Sequence, residues 1–561
     1  MRAASSSRPL LLFAALIACA PAASSETTDA PLEQASTHLA LALDAPHHAT
    51  GRLIGWNIGR GTYYAPAGDP LHPEWRSPAR EAAAAQLAAA RPPTGAAPYV
   101  RFSGLQIDGA LGGDGYHFWD WVDPSRDVAG DDNMATFEYF ALVDDVAAAP
   151  LVTLNFGSGT ASEAAAYVTH LAGEDPADPG VAARHHWGRV APYDVAVFEI
   201  GNEVHSLWNT GYSDHGPYSY ANPAAQHGGD PAWYGRPTAD PADYAARALE
   251  YIATVRAVHP QARFWVPISM ASMDGWGGIA EAVPALEPLL VDPAVEAVVV
   301  HHYQVDDGEL LGLAELNDPR FIVAGSEVFA AGFDELRELL DDLDRDPPLG
   351  IVITEYHVAG FFAGARFTRG EQAVVGLGIA DMMISYARHG IAHAAQHMAL
   401  NFEDSGDLLF ESWYNPFRID GAGAVVPAAS YQATALIAAH LHARTVLPEV
   451  TQATEGAVAV FGEERAVPRV SAVAFVDDAG AAGSLVALHR DFEEEAPLTF
   501  DLPAGWAVAE VSAYAPPRLE HDVVVDGPVA LQALSWEQVG GRVALTLPPH
   551  SLTAVALTCC E

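Results

Sequence analysis

The 561-residue chain is half hydrophobic and 18% charged, a composition that permits a large packed core and excludes global disorder. Its formal net charge of −44, from 28 basic and 72 acidic residues, repels nucleic-acid backbones and anionic lipid surfaces and argues against a nucleic-acid partner. All 28 basic residues are arginine, and the lack of lysine excludes Schiff-base aldolases, pyridoxal-phosphate enzymes and P-loop nucleotidases.

Residues 1–18 predict a lipoprotein-type signal peptide. Arg2 and Arg8 flank the start, and the apolar run at residues 10–17 is too short to span a bilayer. The run ends in Leu16-Ile-Ala-Cys19, which is similar to the bacterial lipobox, whose cysteine becomes lipidated. A plain secretory signal is the alternative. Both predict export, with the chain lipid-anchored at the cell envelope through Cys19 or otherwise secreted.

Residues 19–36, rich in Ala, Pro, Ser and Thr, predict a low-complexity tether. The cysteines of the chain are Cys19, Cys559 and Cys560, all outside the predicted globular body. The sequence therefore predicts neither a disulfide framework nor a thiolate metal site.

Between residues 53 and 443, apolar strand-like runs alternate with helical patterns. The strand candidates are residues 53–59, 99–104, 150–157, 195–203, 263–269, 295–304, 350–357 and 393–401. The helix-like segments include residues 77–91, 161–171, 241–258, 332–343, 371–389 and 430–442. Continuous apolar runs separated by helices are typical of parallel strands buried on both faces. Eight such units predict an α/β fold, a (β/α)8 TIM barrel whose site lies at the C-terminal ends of its strands.

Residues 444–561 have a different pattern, with short alternating strands separated by Gly and Pro turns. Examples lie at residues 471–475, 484–489, 498–502 and 542–547. This pattern predicts a C-terminal antiparallel β-sandwich domain. Residues 37–52 carry an early strand that we expect to join the sandwich.

Two predicted barrel strands end in a carboxylate. Glu203 ends Phe198-Glu-Ile-Gly-Asn-Glu203, and Glu355 ends Gly350-Ile-Val-Ile-Thr-Glu355. Both carboxylates would meet at the C-terminal mouth of the barrel. A proton donor and a nucleophile, both carboxylic, are the minimum equipment for cleaving a glycosidic bond. The alternative is that both are strand-end residues in ordinary solvated turns.

The arrangement resembles clan A of the glycoside hydrolases and, within it, glycoside hydrolase family 51, the α-L-arabinofuranosidases. The resemblance covers most of the chain after about residue 50. It is carried by Val100-Arg-Phe-Ser-Gly104, Gly115-Tyr-His-Phe-Trp-Asp120, Leu154-Asn-Phe-Gly-Ser-Gly-Thr160, Glu199-Ile-Gly-Asn-Glu203, His301-His-Tyr303, Thr354-Glu355, Ala395-Gln396 and Leu547-Pro-Pro-His-Ser-Leu-Thr553. It implies a retaining hydrolase that acts by double displacement on an oligo- or polysaccharide and needs no cofactor.

The resemblance implies that Glu203 is the general acid/base and Glu355 the ionised nucleophile. Burial and the neighbouring nucleophile would raise the pKa of Glu203 so that it can donate a proton. Asn202 would donate a hydrogen bond to the sugar 2-hydroxyl. Arg101 and Tyr303 would orient Glu355 and hold its charge. A structural ion pair between Arg101 and Glu199 is an alternative of equal weight.

Three further residues are candidate substrate ligands. Gln396 would bind the sugar or the nucleophile, and His301 would hydrogen-bond within the pocket. Trp208 belongs to a long aromatic loop after strand four, where rings either stack on sugars or anchor the loop. His302 follows His301 directly and would point to the opposite face of the strand, against the helices. The pair therefore predicts no metal site.

Two positions depart from the family pattern. Gln106 stands where the family carries a sugar-binding asparagine, and Gly55-Trp-Asn-Ile-Gly59 lacks the glutamate expected after strand one, with Asn57 as the nearest polar group. These differences predict weaker activity on simple arabinofuranosides than the resemblance implies.

Two alternatives stay open from the sequence. One is another clan A specificity, such as a β-xylosidase, a β-glucuronidase or an endo-glycanase. The other is a non-catalytic, surface-tethered glycan-binding lipoprotein, which would have no reason to keep both Glu203 and Glu355.

Overall fold

A computed structural model of the chain describes residues 37–49, 52–58, 78–93, 97–102, 136–156, 160–186, 188–205, 240–268, 270, 276, 278–305, 318–359, 372–399, 416–419, 424–452, 455–460, 463–523 and 525–559. The predicted signal peptide and tether, with Cys19, lie outside these residues, as do Gln106 and Trp208. Within the described part, no helix is both long and apolar enough to cross a membrane.

The strands divide between a barrel and the sheets around it. They are β1 (Thr37–Ala40), β2 (His48–Ala49), β3 (Gly55–Ile58), β4 (Tyr99–Phe102), β5 (Ala149–Leu154), β6 (Val197–Ile200), β7 (Arg263–Pro267), β8 (Val295–Val305), β9 (Gly350–Ala359), β10 (His393–Ala399), β11 (Phe417–Ile419), β12 (Val425–Pro427), β13 (Arg444–Val446), β14 (Glu449–Gln452), β15 (Glu455–Val460), β16 (Glu463–Pro468), β17 (Val470–Val476), β18 (Ala482–His489), β19 (Ala496–Asp501), β20 (Trp506–Tyr514), β21 (Gln532–Ala533), β22 (Trp536–Val539), β23 (Arg542–Leu547) and β24 (Ser551–Cys559).

The described helices lie between the barrel strands, except for the last, which follows β12. They are α1 (Pro78–Ala89), α2 (Thr136–Val146), α3 (Ala161–Ala172), α4 (Pro179–His186), α5 (Pro241–Val258), α6 (Ile279–Leu290), α7 (Pro319–Asp341), α8 (Ala373–Arg388) and α9 (Ala429–Ala439).

Strands β3 to β10 close into a barrel of eight parallel strands in the order β10-β3-β4-β5-β6-β7-β8-β9, which confirms the predicted TIM barrel. A buried apolar cluster that includes Leu151, Val197, Val299 and Val352, with Tyr99 packed against it, fills the space between the strands. Because side chains alternate along a strand, the residue two positions after each of these residues also faces the barrel interior. The residues at these positions are Arg101, Thr153, Glu199, His301 and Thr354. The polar site is thus a continuation of the barrel core toward its C-terminal mouth.

Local signals begin several of the helices. Thr160 and Glu163 form a reciprocal capping box at the start of α3, and Asp240 and Asp318 cap α5 and α7 directly before a proline. The cap at Asp318 starts α7 well before the predicted segment 332–343, which is only its C-terminal half. Helix α6 is not among the predicted helix-like segments, and it contains Pro284 and Pro288, a residue type that usually breaks a helix interior.

Helix α8 packs closely against its neighbours through glycine. A Cβ atom added at Gly378 would lie 2.6 Å from a methyl carbon of Val358 and 2.7 Å from the carbonyl oxygen of Ile322 in α7. The backbone of Ile322 has no free space to move into, because this side chain is fully buried. The close contact between the two helices therefore depends on the missing side chain at Gly378.

We expect Gly378→Ala to lower the free energy of unfolding by about 1–3 kcal/mol, because the added methyl group overpacks a buried contact with backbone. The matched control is Gly325→Ala in α7, where the nearest atoms belong to the Gln304 side chain, at 3.3 Å or more. Alanine favours a helix by about 1 kcal/mol over glycine, so this variant should be neutral or stabilised. Urea unfolding of both variants checks the prediction, and equal changes would contradict it.

The C-terminal region forms two packed sheets, in the orders β14-β1-β19-β23-β22 and β2-β13-β17-β18-β24-β20-β21. Leu39 and Phe500 of the first sheet share one buried apolar cluster with Leu485 and Val555 of the second. The sheets therefore pack face to face, which confirms the predicted sandwich.

One strand departs from the predicted antiparallel pattern. Strand β1 lies between β14 and β19, antiparallel to the first and parallel to the second. The whole barrel separates β1 from β19 in the sequence, so no hairpin dictates their relative direction.

A group of charged and polar side chains, here called the junction cluster, joins the barrel helices to the sandwich. It consists of Glu327 of α7, Asp381 and Arg388 of α8, Ser471 of β17, and Arg490 directly after β18. Arg490 donates to Asp381 and, at 3.1 Å, to Glu327. Burial opposes ionisation of Glu327, but Arg490 and Arg388 outweigh it and lower the pKa of this carboxyl to about 2. The junction cluster thus connects helices α7 and α8 to the sandwich through ion pairs and hydrogen bonds.

Candidate active site

Glu203 lies just beyond the end of β6, in a segment of unusual backbone. Gly201 has a φ angle of +81° and Glu203 one of +46°, so the chain turns sharply where the strand ends. A non-glycine residue in this left-handed region is uncommon, and such strained residues cluster at functional sites. The turn brings the Glu203 side chain over the barrel mouth.

Glu355 lies on β9 and is only 3% exposed. One oxygen of Glu355, one oxygen of Glu203 and one ring nitrogen of His301 all lie within 4.8 Å of one another. The fold therefore brings together the two carboxylates that the sequence singled out, although 152 residues separate them in the chain.

Arg101 of β4 is fully buried and connects the carboxylates of the site. Its Nε and NH2 donate to the two oxygens of Glu199 at 2.6 and 2.8 Å, and its NH1 donates to Glu355 at 2.6 Å. The sequence left two roles open for Arg101, a partner of Glu355 and a structural partner of Glu199. In the structure it has both sets of contacts, because a guanidinium presents several donors in a fixed plane.

Both oxygens of Glu355 accept hydrogen bonds, Oε1 from Arg101 and Oε2 from the Tyr303 hydroxyl at 2.7 Å. Burial alone would raise the pKa of this carboxyl. The charges of His301 and Arg101 and the Tyr303 hydrogen bond outweigh burial, and the pKa of Glu355 lies far below its ordinary value. Glu355 is therefore held as a carboxylate, the form that a nucleophile requires.

Asn202 also forms a hydrogen bond with Arg101. Its Oδ1 accepts from the Arg101 NH2 at 2.6 Å, and the residue is completely buried. This bond holds the Asn202 amide in one orientation beside Glu203.

Glu203 has a different environment from Glu355. Its Oε1 lies 2.7 Å from Nδ1 of His301 and the side chain is 15% exposed. Burial would raise the pKa of Glu203, but the hydrogen bond and charge of His301 outweigh it, and the pKa is lowered. The pKa of His301 is raised, because Glu355 and Glu203 outweigh the effect of burial. The sequence-based expectation of a raised pKa for Glu203 is therefore wrong, because the hydrogen bond and charge of His301 lower it.

Gln396 does not lie where the sequence placed it. Its Oε1 accepts from the Thr434 hydroxyl of α9 at 3.2 Å, so the side chain points outward from the barrel, away from the sugar and the nucleophile. The next residue, His397, faces the site instead, with Nδ1 3.5 Å from Glu355. Every residue of β10 is buried, so no alternation of polar and apolar residues shows which face is inward.

Asn57 and His397 are the site residues that sequence reasoning underrated. The Asn57 amide donates to Nδ1 of His397 at 2.6 Å, which places the ring proton of a neutral His397 on Nε2. Burial lowers the pKa of His397 in agreement with a neutral ring. The only signal in the sequence was Asn57, as the polar residue of an otherwise apolar strand.

His302 points to the opposite face from His301, with its Nδ1 2.8 Å from the Tyr386 hydroxyl of α8. Glu203, His301 and Glu355 have the chemistry of cation ligands and the necessary proximity. Two contacts favour proton sharing instead: the direct hydrogen bond between Glu203 and His301, and the guanidinium of Arg101 on Glu355. The arrangement supplies one carboxylate with a shared proton and one that is held ionised.

No protein-family model matches the sequence, and no curated protein matches it. Among solved structures, a family 51 α-L-arabinofuranosidase from Bifidobacterium longum is similar at 16% identity, with a TM-score of 0.71 over 93% of this chain and 99% of that one. An α-L-arabinofuranosidase from Thermotoga maritima is similar at 15% identity, with a TM-score of 0.69 over 93% of this chain and 100% of that one. A GH51 arabinofuranosidase from Xanthomonas axonopodis pv. citri is similar at 14% identity, with a TM-score of 0.70 over 94% and 100%. These similarities confirm the expected fold, a TIM barrel with a β-sandwich.

Proposed function

We propose that the chain is a retaining glycoside hydrolase with the specificity of an α-L-arabinofuranosidase, in which Glu203 is the acid/base and Glu355 the nucleophile. The observation that carries this proposal is the pair of close carboxylates in unlike environments. Retaining enzymes place the two carboxyl groups about 5–5.5 Å apart, and inverting enzymes about 6.5–9.5 Å apart. Oxygens within 4.8 Å of each other favour the retaining class.

In the first step, a Glu355 oxygen attacks the anomeric carbon while Glu203 delivers a proton to the glycosidic oxygen. The bond between carbon and oxygen breaks, the alcohol leaves, and a glycosyl ester of Glu355 forms. Both Glu355 oxygens already accept hydrogen bonds, but each oxygen has a second lone pair for the attack. Arg101 and Tyr303 hold the carboxylate so that little reorientation is needed.

In the second step, Glu203 takes a proton from a water molecule, whose oxygen attacks the anomeric carbon and displaces Glu355. The sugar leaves with its original anomeric configuration, and both carboxyl groups return to their starting state. No cofactor takes part in either step. The substrate is a neutral oligo- or polysaccharide, in keeping with the net charge of −44, which repels polyanions. Export, and lipid attachment at Cys19, are part of the proposal.

The arabinose preference rests on the resemblance and on the similar structures. A second candidate is another clan A specificity, and one contact favours it. The segment at residues 55–59 lacks the glutamate expected after strand one, and its nearest polar group, Asn57, is bonded to His397. A pocket with different hydrogen-bonding groups discriminates between sugars by orders of magnitude.

We expect nitrophenyl α-L-arabinofuranoside to be cleaved with retention, but at a modest kcat/KM that Gln106→Asn raises. The longer glutamine would occupy space intended for the sugar, and the asparagine restores the residue of the family. A panel of nitrophenyl glycosides measures specificity, and NMR of the first product measures the anomeric outcome. A β-xyloside or β-glucuronide as best substrate would establish the second candidate. An inverted product would contradict the mechanism, and no hydrolysis of any glycoside would favour a non-catalytic glycan binder.

A further inference from the structure

His301 contacts both of the carboxylates assigned to catalysis. Its Nδ1 lies 2.7 Å from Glu203 and 3.6 Å from Glu355. Its other nitrogen, Nε2, lies 3.1 Å from the hydroxyl oxygen of Thr354. The proposed mechanism needs Glu203 to hold a proton, but the contact with His301 lowers the pKa of Glu203, and the pKa of His301 is raised. The protonation of the His301 ring therefore determines whether Glu203 has a proton to donate.

Thr354 links His301 to the carboxylate of Glu199. The Thr354 hydroxyl donates to Oε1 of Glu199 at 3.4 Å. Glu199 is fully buried and also accepts two bonds from Arg101 and one from Thr153 at 3.4 Å. A carboxylate surrounded by donors only accepts hydrogen bonds, so the hydroxyl proton of Thr354 points toward Glu199. The oxygen of that hydroxyl is then left to accept from His301.

We infer that Thr354 and Glu199 are positioning residues that keep a proton on Nε2 of His301, so that the second ring nitrogen shares one proton with Glu203. The inference rests on the proposed function, since it gives that proton a use. When Glu203 protonates the leaving oxygen, the proton on Nδ1 moves to the carboxylate. When Glu203 takes a proton from water in the second step, the pair of Glu203 and His301 regains its shared proton. The proton count of the pair is unchanged over one turnover.

Other charged and titratable groups face His301 from the surrounding strands. Glu203 follows β6, Glu355 lies on β9, Arg101 on β4 and His397 on β10, and His205 follows Glu203 in the chain. The carboxylates favour the charged ring, whereas burial and Arg101 oppose it, and the net effect is a raised pKa of His301. The shared proton is therefore present below this raised pKa and is lost as the pH rises through it. This loss sets the alkaline limb of activity.

The test removes only the Thr354 hydroxyl, which accepts the hydrogen bond from Nε2 of His301. Thr354→Val keeps the shape of the side chain and leaves the Nε2 proton of the charged ring without a partner, which disfavours the charged form. A hydrogen bond to a charged group is stronger than one to a neutral group, so the pKa of His301 should fall by about one or more. Thr354→Ser keeps the hydroxyl and is the matched control. Thr354→Ala replaces the valine variant if that variant does not fold.

Two measurements are made on the purified protein. Nitrogen-15 NMR of histidine-labelled protein, with the His301 signals identified by their loss in His301→Gln, follows the ring without any substrate. The pH profile of kcat/KM on an alkyl glycoside, whose poor leaving group needs the acid, should show the alkaline limb moving with the NMR pKa. We expect the valine variant to shift both to lower pH and the serine variant to match the wild type.

The outcomes separate this inference from the proposed function. Valine and alanine variants that titrate like the wild type, or a serine variant that shifts as much as they do, overturn the inference even if glycosides are cleaved. A shift in the NMR titration without hydrolysis of any glycoside overturns the proposed function and leaves the protonation of His301 as inferred.

Discussion

Glu355→Ala is expected to abolish hydrolysis of every glycoside, with a loss in kcat on the order of 10⁶-fold, the scale seen when a hydrolase loses its nucleophile. In the proposed mechanism no glycosyl ester can form without this carboxylate, however good the leaving group is. Comparison of kcat for nitrophenyl and alkyl glycosides measures the effect. The variant also leaves Arg101 with Glu199 as its carboxylate partner, so folding must be checked by circular dichroism.

Glu203→Ala is the informative partner of this variant. A nitrophenolate leaves without a proton, so the first step should survive, and only the second should slow. An alkyl glycoside should lose on the order of 10²–10⁴-fold in kcat/KM, the usual contribution of general acid catalysis. Azide, which needs no general base, should restore turnover of the nitrophenyl substrate and yield a glycosyl azide. Equal losses on both substrates, without rescue by azide, would reverse or remove the assignment of the two carboxylates.

The second large effect is expected far from the site, at the junction cluster. Arg490→Leu should lower the free energy of unfolding by about 3–5 kcal/mol, because two buried carboxylates lose their shared cation. Arg490 is only 4% exposed, and it also donates to the carbonyl oxygens of Val323 at 3.1 Å and Pro468 at 2.8 Å. These two oxygens lie on opposite sides of the junction, one in α7 and one at the end of β16.

Arg388→Leu provides the matched control for this prediction. Arg388 pairs with the same Glu327 at 2.6 Å, but its side chain is 33% exposed, so water can replace much of what is lost. Its removal should lower the free energy of unfolding by about 1 kcal/mol or less. Urea unfolding followed by tryptophan fluorescence measures both variants. If both variants lose a similar free energy of unfolding, the burial of Arg490 does not explain its contribution to stability.

The sequence predicted the barrel because its signals are local. Each strand is a short apolar run and each helix an amphipathic segment, so their order along the chain indicates eight parallel strands. The two carboxylates could be singled out for the same reason. Glu203 and Glu355 each stand where an apolar run ends, and a closed parallel barrel brings all such ends to one mouth. The helices were predicted less completely, since segment 332–343 is only the C-terminal half of α7 and α6 was not among the predicted segments.

Facing directions and proton positions were decided only by the tertiary structure. Strand β10 is buried on both faces, so its composition could not show that His397, and not Gln396, faces Glu355. The two sets of contacts of Arg101 depend on atoms from three strands that meet only in the closed barrel. The lowered pKa of Glu203 depends on one nitrogen of His301 at 2.7 Å. A sequence specifies which groups are present, but a pKa and a hydrogen bond depend on distances of a few ångströms between residues far apart in the chain.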